Sequence, residues 1–137
     1  LALGADIRFV HPEAKLSIRE VHWGLVPDMC ATYLLGRLVR DDVAKELVCS
    51  ARVFSGEEAD RLGLVTHLTN TPLADALDLA RVIAGRSPDS VRASKRLLNL
   101  RGGFKEQFAA ERREINRLIR SPNQVEAVMS GMEKRPP

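Results

Sequence analysis

Aromatic side chains are scarce, at 4% of the 137 residues, which leaves little surface for stacking on nucleic-acid bases. No apolar run approaches the ~18 residues that a bilayer-spanning helix needs, and no charged segment followed by an apolar stretch marks a secretory signal. The two cysteines, Cys30 and Cys49, match neither a metal-ligand spacing nor an exported disulfide scaffold. The expectation is a reduced cytoplasmic setting, with no bound metal and no membrane. Charge of one sign is also missing. The 21 Lys and Arg against 18 Asp and Glu leave a net charge of +3, too mild for nucleic acid but suited to an anionic small molecule. In the one Arg-rich stretch, ERREINRLIR at 111–120, acids alternate with bases as on a solvated or inter-subunit face.

What is present is an ordinary globular composition, 45% hydrophobic and 28% charged, long enough for one modest domain with a real core. The first third reads as strands: DIRFVH at 6–11 and KLSI at 15–18 carry the β-branched and aromatic residues that favour them. GLVPD at 24–28 reads as a loop, and a helical period starts at Met29 with Leu34, Leu35, Leu38 and Val39 on one face. Asp41 and Asp42 are placed to cap the next helix. SGEE at 55–58 is a capping box in which Ser55 accepts from the Glu58 backbone and Glu58 reaches back. Gly63 suits the left-handed helix end, and LVTHL at 64–68 reads as a strand. After Pro72 the pattern is wholly helical, with Ser87-Pro88 as an N-cap and first-turn proline and further helices over 104–120 and about 122–134. The expected fold class is therefore α/β, divided near residue 70. The chain opens on LALGAD without Met, a segment that reads as the tail of an apolar helix or loop. An earlier segment, cut away or encoded elsewhere, is expected to precede it.

The chemistry-bearing stretch is residues 15–35. Glu20 follows a short strand, and Asp28 lies eight residues later across a Gly/Pro loop. Two carboxyls converging on an apolar pocket can do general acid/base work, because burial raises a carboxyl pKa towards neutrality. Each residue also has a plain reading: Asp28 is a standard N-cap for a helix starting at Met29, Trp23 is a core residue, and His22 shares the Glu20 side of an extended segment. On the functional reading, Trp23, Leu25 and Pro27 supply the substrate-binding wall.

GADIRFVHPEAKLSIREVHWGLVPD, followed at a distance by ARVFSGEEADRLGLVTHL, resembles the enoyl-CoA hydratase/isomerase (crotonase) family. The matching residues are Asp6, Glu20, Gly24 and Pro27, then Ser55, Glu58, Ala59, Gly63, Leu64 and Val65, in the family's order and at its intervals. The resemblance covers the second part of a typical member. It implies a partial ββα spiral core over 1–70 and a C-terminal helical trimerisation region over 71–137. It also implies carboxylate acid/base catalysis on an unsaturated fatty acyl-CoA, with coenzyme A as part of the substrate and no separate cofactor. Glu20 matches the second of the family's two glutamates. The first, with one of the two N–H donors that hold the thioester oxygen, is implied to lie immediately before Leu1 and to come from an N-terminal half.

Two departures stand out. Hydratases of the family carry glycine after the proline, whereas Asp28 here is similar to the dienoyl-CoA isomerase branch, in which an acid pair moves protons along a conjugated chain. Gly131 stands where members often carry an aromatic residue. The implied partners are an acyl-CoA substrate, further copies in a trimer or hexamer, and a separate N-terminal half. The competing expectation is a catalytically inactive remnant or a self-associating helical module.

Overall fold

None of the four strands exceeds two residues, so turns and helix ends, not a broad sheet, assemble the core. The computed structural model describes residues 2–136; Leu1 and Pro137, the outer ends of the LALGAD and MEKRPP segments, lie outside the described residues. Two compact units result, one reaching to Leu77 and one beginning at Asp78.

The first unit opens with a 3-10 turn, Ala2–Gly4, then β1 (Phe9–Val10), β2 (Lys15–Leu16) and a 3-10 helix, Glu20–Trp23. It continues through α1 (Ala31–Leu35), α2 (Asp41–Ser50), β3 (Phe54–Ser55), α3 (Gly56–Arg61) and β4 (His67–Leu68) into α4 (Pro72–Ala84). β1 pairs in parallel with β4, Phe9 opposite His67 and Val10 opposite Leu68, and the Phe9 and His67 rings stack at 4.5 Å. β2 pairs antiparallel with β3, Leu16 opposite Phe54. The strands expected over 6–11, 15–18 and 64–68 are thus trimmed to two residues each. Around the third, the Leu64 amide is taken by the Ala59 carbonyl and its carbonyl by the Arg8 side chain, so neither is free for a ladder.

The core is a cluster of Leu35, Leu47, Phe54, Ala59 and Leu64, with Leu35 and Leu47 fully enclosed. α3 is the hinge of that cluster. Ser55 caps its start by accepting from the Glu58 amide at 3.1 Å. Its end is closed by Gly63 (φ 82°), with Leu64 N–H donating to Ala59 O and Gly63 N–H to Asp60 O, both at 2.9 Å. This 6→1 and 5→2 pair is a Schellman ending, and it carries Leu64 into the core against Ala59. The Glu58 carboxylate takes the Arg52 guanidinium at 2.6 and 3.0 Å in place of the expected reach back to Ser55. Arg52 also grips Glu46 of α2, so one guanidinium ties α2 to α3. Both glutamates are held below the ordinary carboxylate range, first by these hydrogen bonds and further by the nearby positive charge. At α2 the N-cap position is Arg40, and Asp41 and Asp42 lie inside the first turn. There they complement the helix dipole instead of capping it.

The second unit holds α5 (Pro88–Asn99), α6 (Phe104–Leu118) and α7 (Pro122–Glu133). Pro88 stands in the first turn of α5, but the Ser87 hydroxyl before it is buried and makes no hydrogen bond, so the cap is positional only. Glu106 reaches back to the Gly103 amide at 3.0 Å to start α6. Arg96 grips Glu114 through two 2.9 Å bonds, and Asn123 donates to Asp89 at 2.7 Å, joining α5 to α6 and to α7. The buried side chains are small (Ala93, Ala110 and Ser130). α6 stops at Leu118 and α7 at Glu133, each short of its expected end, because Arg120 and Lys134 turn to positive φ.

A Cβ at Gly56 would stand 1.9 Å from the His11 carbonyl oxygen. Gly56→Ala therefore forces the 11–12 turn off α3, and a loss of about 1–3 kcal/mol is expected in urea unfolding. The Glu46 and Glu58 carboxylates bind protons less readily folded than unfolded, so their contribution is present above the unfolded glutamate pKa, about 4.3, and fades as pH falls through the lower folded values. Arg52→Met is expected to flatten that acid limb in urea midpoints measured from about pH 6 down to about pH 3.

Candidate active site

Glu20 begins the Glu20–Trp23 3-10 helix, which ends because Gly24 adopts the left-handed conformation (φ 72°). Gly24 N–H donates to Val21 O at 3.0 Å and Leu25 N–H to Glu20 O at 2.9 Å. This tight turn replaces the extended segment expected around His22, whose ring meets Trp23 edge-on at 4.9 Å. Trp23 is not a core residue: it is 72% exposed, because the turn faces it outwards.

The Glu20 side chain is oriented inward. Its Oε2 is buried and has no hydrogen-bond partner, a costly state that is uncommon in folded proteins and calls for a functional explanation. Two cavities meet at this carboxylate. The larger, about 450 Å³, is walled by Leu3, Ile7, Phe9, Leu16, Leu35 and Phe54 among others, with Arg8 and Ser17 as further polar members. The smaller, about 250 Å³, is lined by Leu3, Gly4, Glu20, Asp28, Met29, Ala31 and Leu34. Glu20 and Asp28, singled out from the sequence, thus share one cavity. Trp23, Leu25 and Pro27 line neither; Trp23 and Leu25 are exposed and Pro27 is half-buried.

Asp28 is not the cap of the following helix. That position belongs to Cys30, without a side-chain cap, and the Asp28 main-chain oxygen accepts from Ala31 N–H at 3.0 Å. Met29 (φ 50°) and Cys30 (φ 61°) are consecutive non-glycine residues in the left-handed region, a conformation that costs roughly 1–2 kcal/mol per residue. The strained pair sets Asp28 and Ala31 on the same cavity. Sequence reasoning missed Arg8 and Ser17. Both bond backbone carbonyls, Arg8 those of Leu64 and Ala5 and Ser17 that of Ala51, and an acceptor present at every residue leaves no pattern in the sequence.

The family model for enoyl-CoA hydratase/isomerase matches residues 1–137. Mouse mitochondrial methylglutaconyl-CoA hydratase is 32% identical over 145 residues, covering all of this chain and 46% of that protein. A short-chain-enoyl-CoA hydratase of Clostridioides difficile is 34% identical over 102 residues, 73% of this chain and 66% of its own length. Among solved structures, that of a probable enoyl-CoA hydratase/isomerase from Mycobacterium abscessus superposes with a TM-score of 0.92 at 34% identity, covering 99% of this chain and 57% of that one. The fold is accordingly mixed α/β, largely helical, with crotonase-fold neighbours. The chain spans about half the length of most curated relatives it matches. No helix among the described residues is long and apolar enough to cross a membrane.

The turn geometry separates two substitutions. Gly24 has open space where a Cβ would stand, so Gly24→Ala reads the left-handed backbone cost alone, an expected loss of about 1–2 kcal/mol in urea unfolding. Cys30→Gly removes the same cost at φ 61° and is expected to leave stability unchanged or raise it by up to about 1 kcal/mol.

Proposed function

Because the chain belongs to the enoyl-CoA hydratase/isomerase family, we propose that Glu20 and Asp28 form the acid/base part of a site for an unsaturated acyl-CoA thioester. The observation that carries this reading is the buried, unpartnered Glu20 Oε2 in an otherwise largely apolar cavity that Asp28 also lines. In such a site the thioester oxygen gathers negative charge as an enolate develops, and preorganised N–H donors there lower the barrier most. Glu20 delivers or removes a proton at an acyl carbon while apolar walls keep water from competing for it. With Asp28 as a second carrier, a proton taken from one carbon by one acid is matched by a proton given to another carbon by the other, which shifts conjugated double bonds without adding water. This favours isomerisation; hydration, in which Glu20 works with a glutamate outside this chain, is the second reading. Coenzyme A belongs to the substrate, and the chemistry calls for no further cofactor.

The rest of the site, including one of the two oxyanion N–H donors, is assigned to a segment equivalent to the remaining half of the relatives. Self-association into a trimer or hexamer is supported by the exposed apolar side chains of α6, with Phe104 84% exposed and its ring 6.1 Å from that of Phe108. The two exposed free thiols, Cys30 and Cys49, support a reducing, cytoplasmic setting.

The test measures hydration of crotonyl-CoA and isomerisation of a dienoyl-CoA by the chain, alone and mixed with the N-terminal half of the Mycobacterium abscessus relative. Glu20→Gln is expected to lower activity by roughly 10²–10⁴-fold. Asp28→Asn is expected to suppress isomerisation and spare hydration. Rates unchanged in Glu20→Gln would reject the role.

A further inference from the structure

We infer that Arg8 is a positioning residue of the Glu20 cavity, clamping the wall formed by residues 2–5 to the segment that follows α3. What the cavity does rests on the acyl-CoA reading above; the clamp itself stands on geometry. Arg8 donates through Nε to Leu64 O and through Nη1 to Ala5 O, both at 2.6 Å. One rigid, planar fork therefore spans two carbonyls 59 positions apart in sequence (64 − 5). Its base is fixed first. The Arg8 amide donates to Thr66 Oγ1 at 3.1 Å, and its carbonyl accepts from the Thr66 and His67 amides at 2.9 and 3.0 Å.

Both ends of the fork meet the cavity. Leu64 is a core residue and lines the larger cavity, as do Ala2, Leu3, Ala5 and Arg8 itself. Ala5 closes the Ala2–Gly4 turn through its own amide, which donates to Ala2 O at 3.2 Å. That turn presents Leu3 and Gly4 to the smaller cavity, which Glu20 and Asp28 also line. Charge-assisted bonds to two carbonyls thus set how far the wall stands from the carboxylate. A displacement of about 1 Å at such a distance is enough to spoil a reactive geometry.

The experiment uses the full chain with four substitutions: Arg8→Met, Arg8→Lys, Thr66→Val and Glu20→Gln. Amide hydrogen exchange at Ala5 reports the wall directly. Binding of butyryl-CoA, a saturated thioester with no double bond to hydrate or shift, is followed by titration calorimetry in the presence of the N-terminal half of the Mycobacterium abscessus relative. Arg8→Met is expected to speed Ala5 exchange and to weaken butyryl-CoA binding, each by about tenfold. Arg8→Lys, which keeps a cationic donor for one carbonyl, is expected to recover part of both. Thr66→Val removes the bond at the base of the fork and leaves both guanidinium bonds, and is expected to lower the thermal midpoint and to change each readout by less than Arg8→Met does. The inference is overturned if Arg8→Met lowers only the thermal midpoint. If, with that N-terminal half present, the unsubstituted chain and Glu20→Gln alike fail to bind butyryl-CoA, the acyl-CoA reading falls. Ala5 exchange then decides the clamp alone: faster exchange in Arg8→Met supports it, and unchanged exchange overturns it.

Discussion

Leu64 is where the first unit is held together, and most of the remaining structure can be traced from it. Its amide closes α3 on Ala59 O, its carbonyl anchors the Arg8 fork, and its side chain joins Leu35, Leu47, Phe54 and Ala59 in the core. Gly63 makes this convergence feasible, because a left-handed residue after α3 reverses the chain sharply enough to drop Leu64 inwards. From the same point the chain runs on to pair β4 with β1, which sets the far wall of the larger cavity. A fold with two-residue strands has few ladder bonds to spend on register. One residue with amide, carbonyl and side chain all committed supplies what a broader sheet would otherwise provide.

The polar groups separate into two populations. Glu46, Glu58, Glu114 and Glu126 each accept from a guanidinium, and all are held below the ordinary carboxylate range by that bond. An acid so paired takes up a proton only under acid conditions, which suits it to tie helices together and disqualifies it as a proton donor near neutrality. Two buried side-chain oxygens among the described residues have no hydrogen-bond partner, Ser87 Oγ and Glu20 Oε2, and the second belongs to a carboxylate that lines a largely apolar cavity. Folding tolerates this cost because the rest of the cluster is satisfied around it, as happens at sites where strain is stored for function. Met29, one of the non-glycine residues at positive φ, lines the smaller cavity beside Glu20 and Asp28.

What could be read from the sequence was local. The Ser55 cap, the Gly63 ending and Pro88 in a first turn all depend on a few neighbouring residues, and the structure places each accordingly; Glu20 and Asp28, eight residues apart, line one cavity. What could not be read depends on distant partners. The strand at 64–68 was too long because nothing local reveals that Arg8 takes the Leu64 carbonyl. Glu58 turned to Arg52 because a guanidinium six residues away outbids a local amide for a carboxylate. The plain reading of Trp23 as a core residue fails because the left-handed Gly24 ends its turn at the surface. The 3-10 helix itself has no signature of its own, since four residues are too few to show a period.

Both units leave large apolar side chains exposed. Trp23, Leu25 and Val26 are exposed in the first, and Leu98, Phe104 and Met132 in the second, while the second unit buries only Ala93, Ala110 and Ser130 fully. Covering one such side chain gains about 1.5–3 kcal/mol, a gain that is unrealised at each of these exposed positions. The same constraint applies to chemistry. Carboxylate acid/base chemistry gains from excluding water, and the two cavities that Glu20 lines are walled largely by apolar side chains.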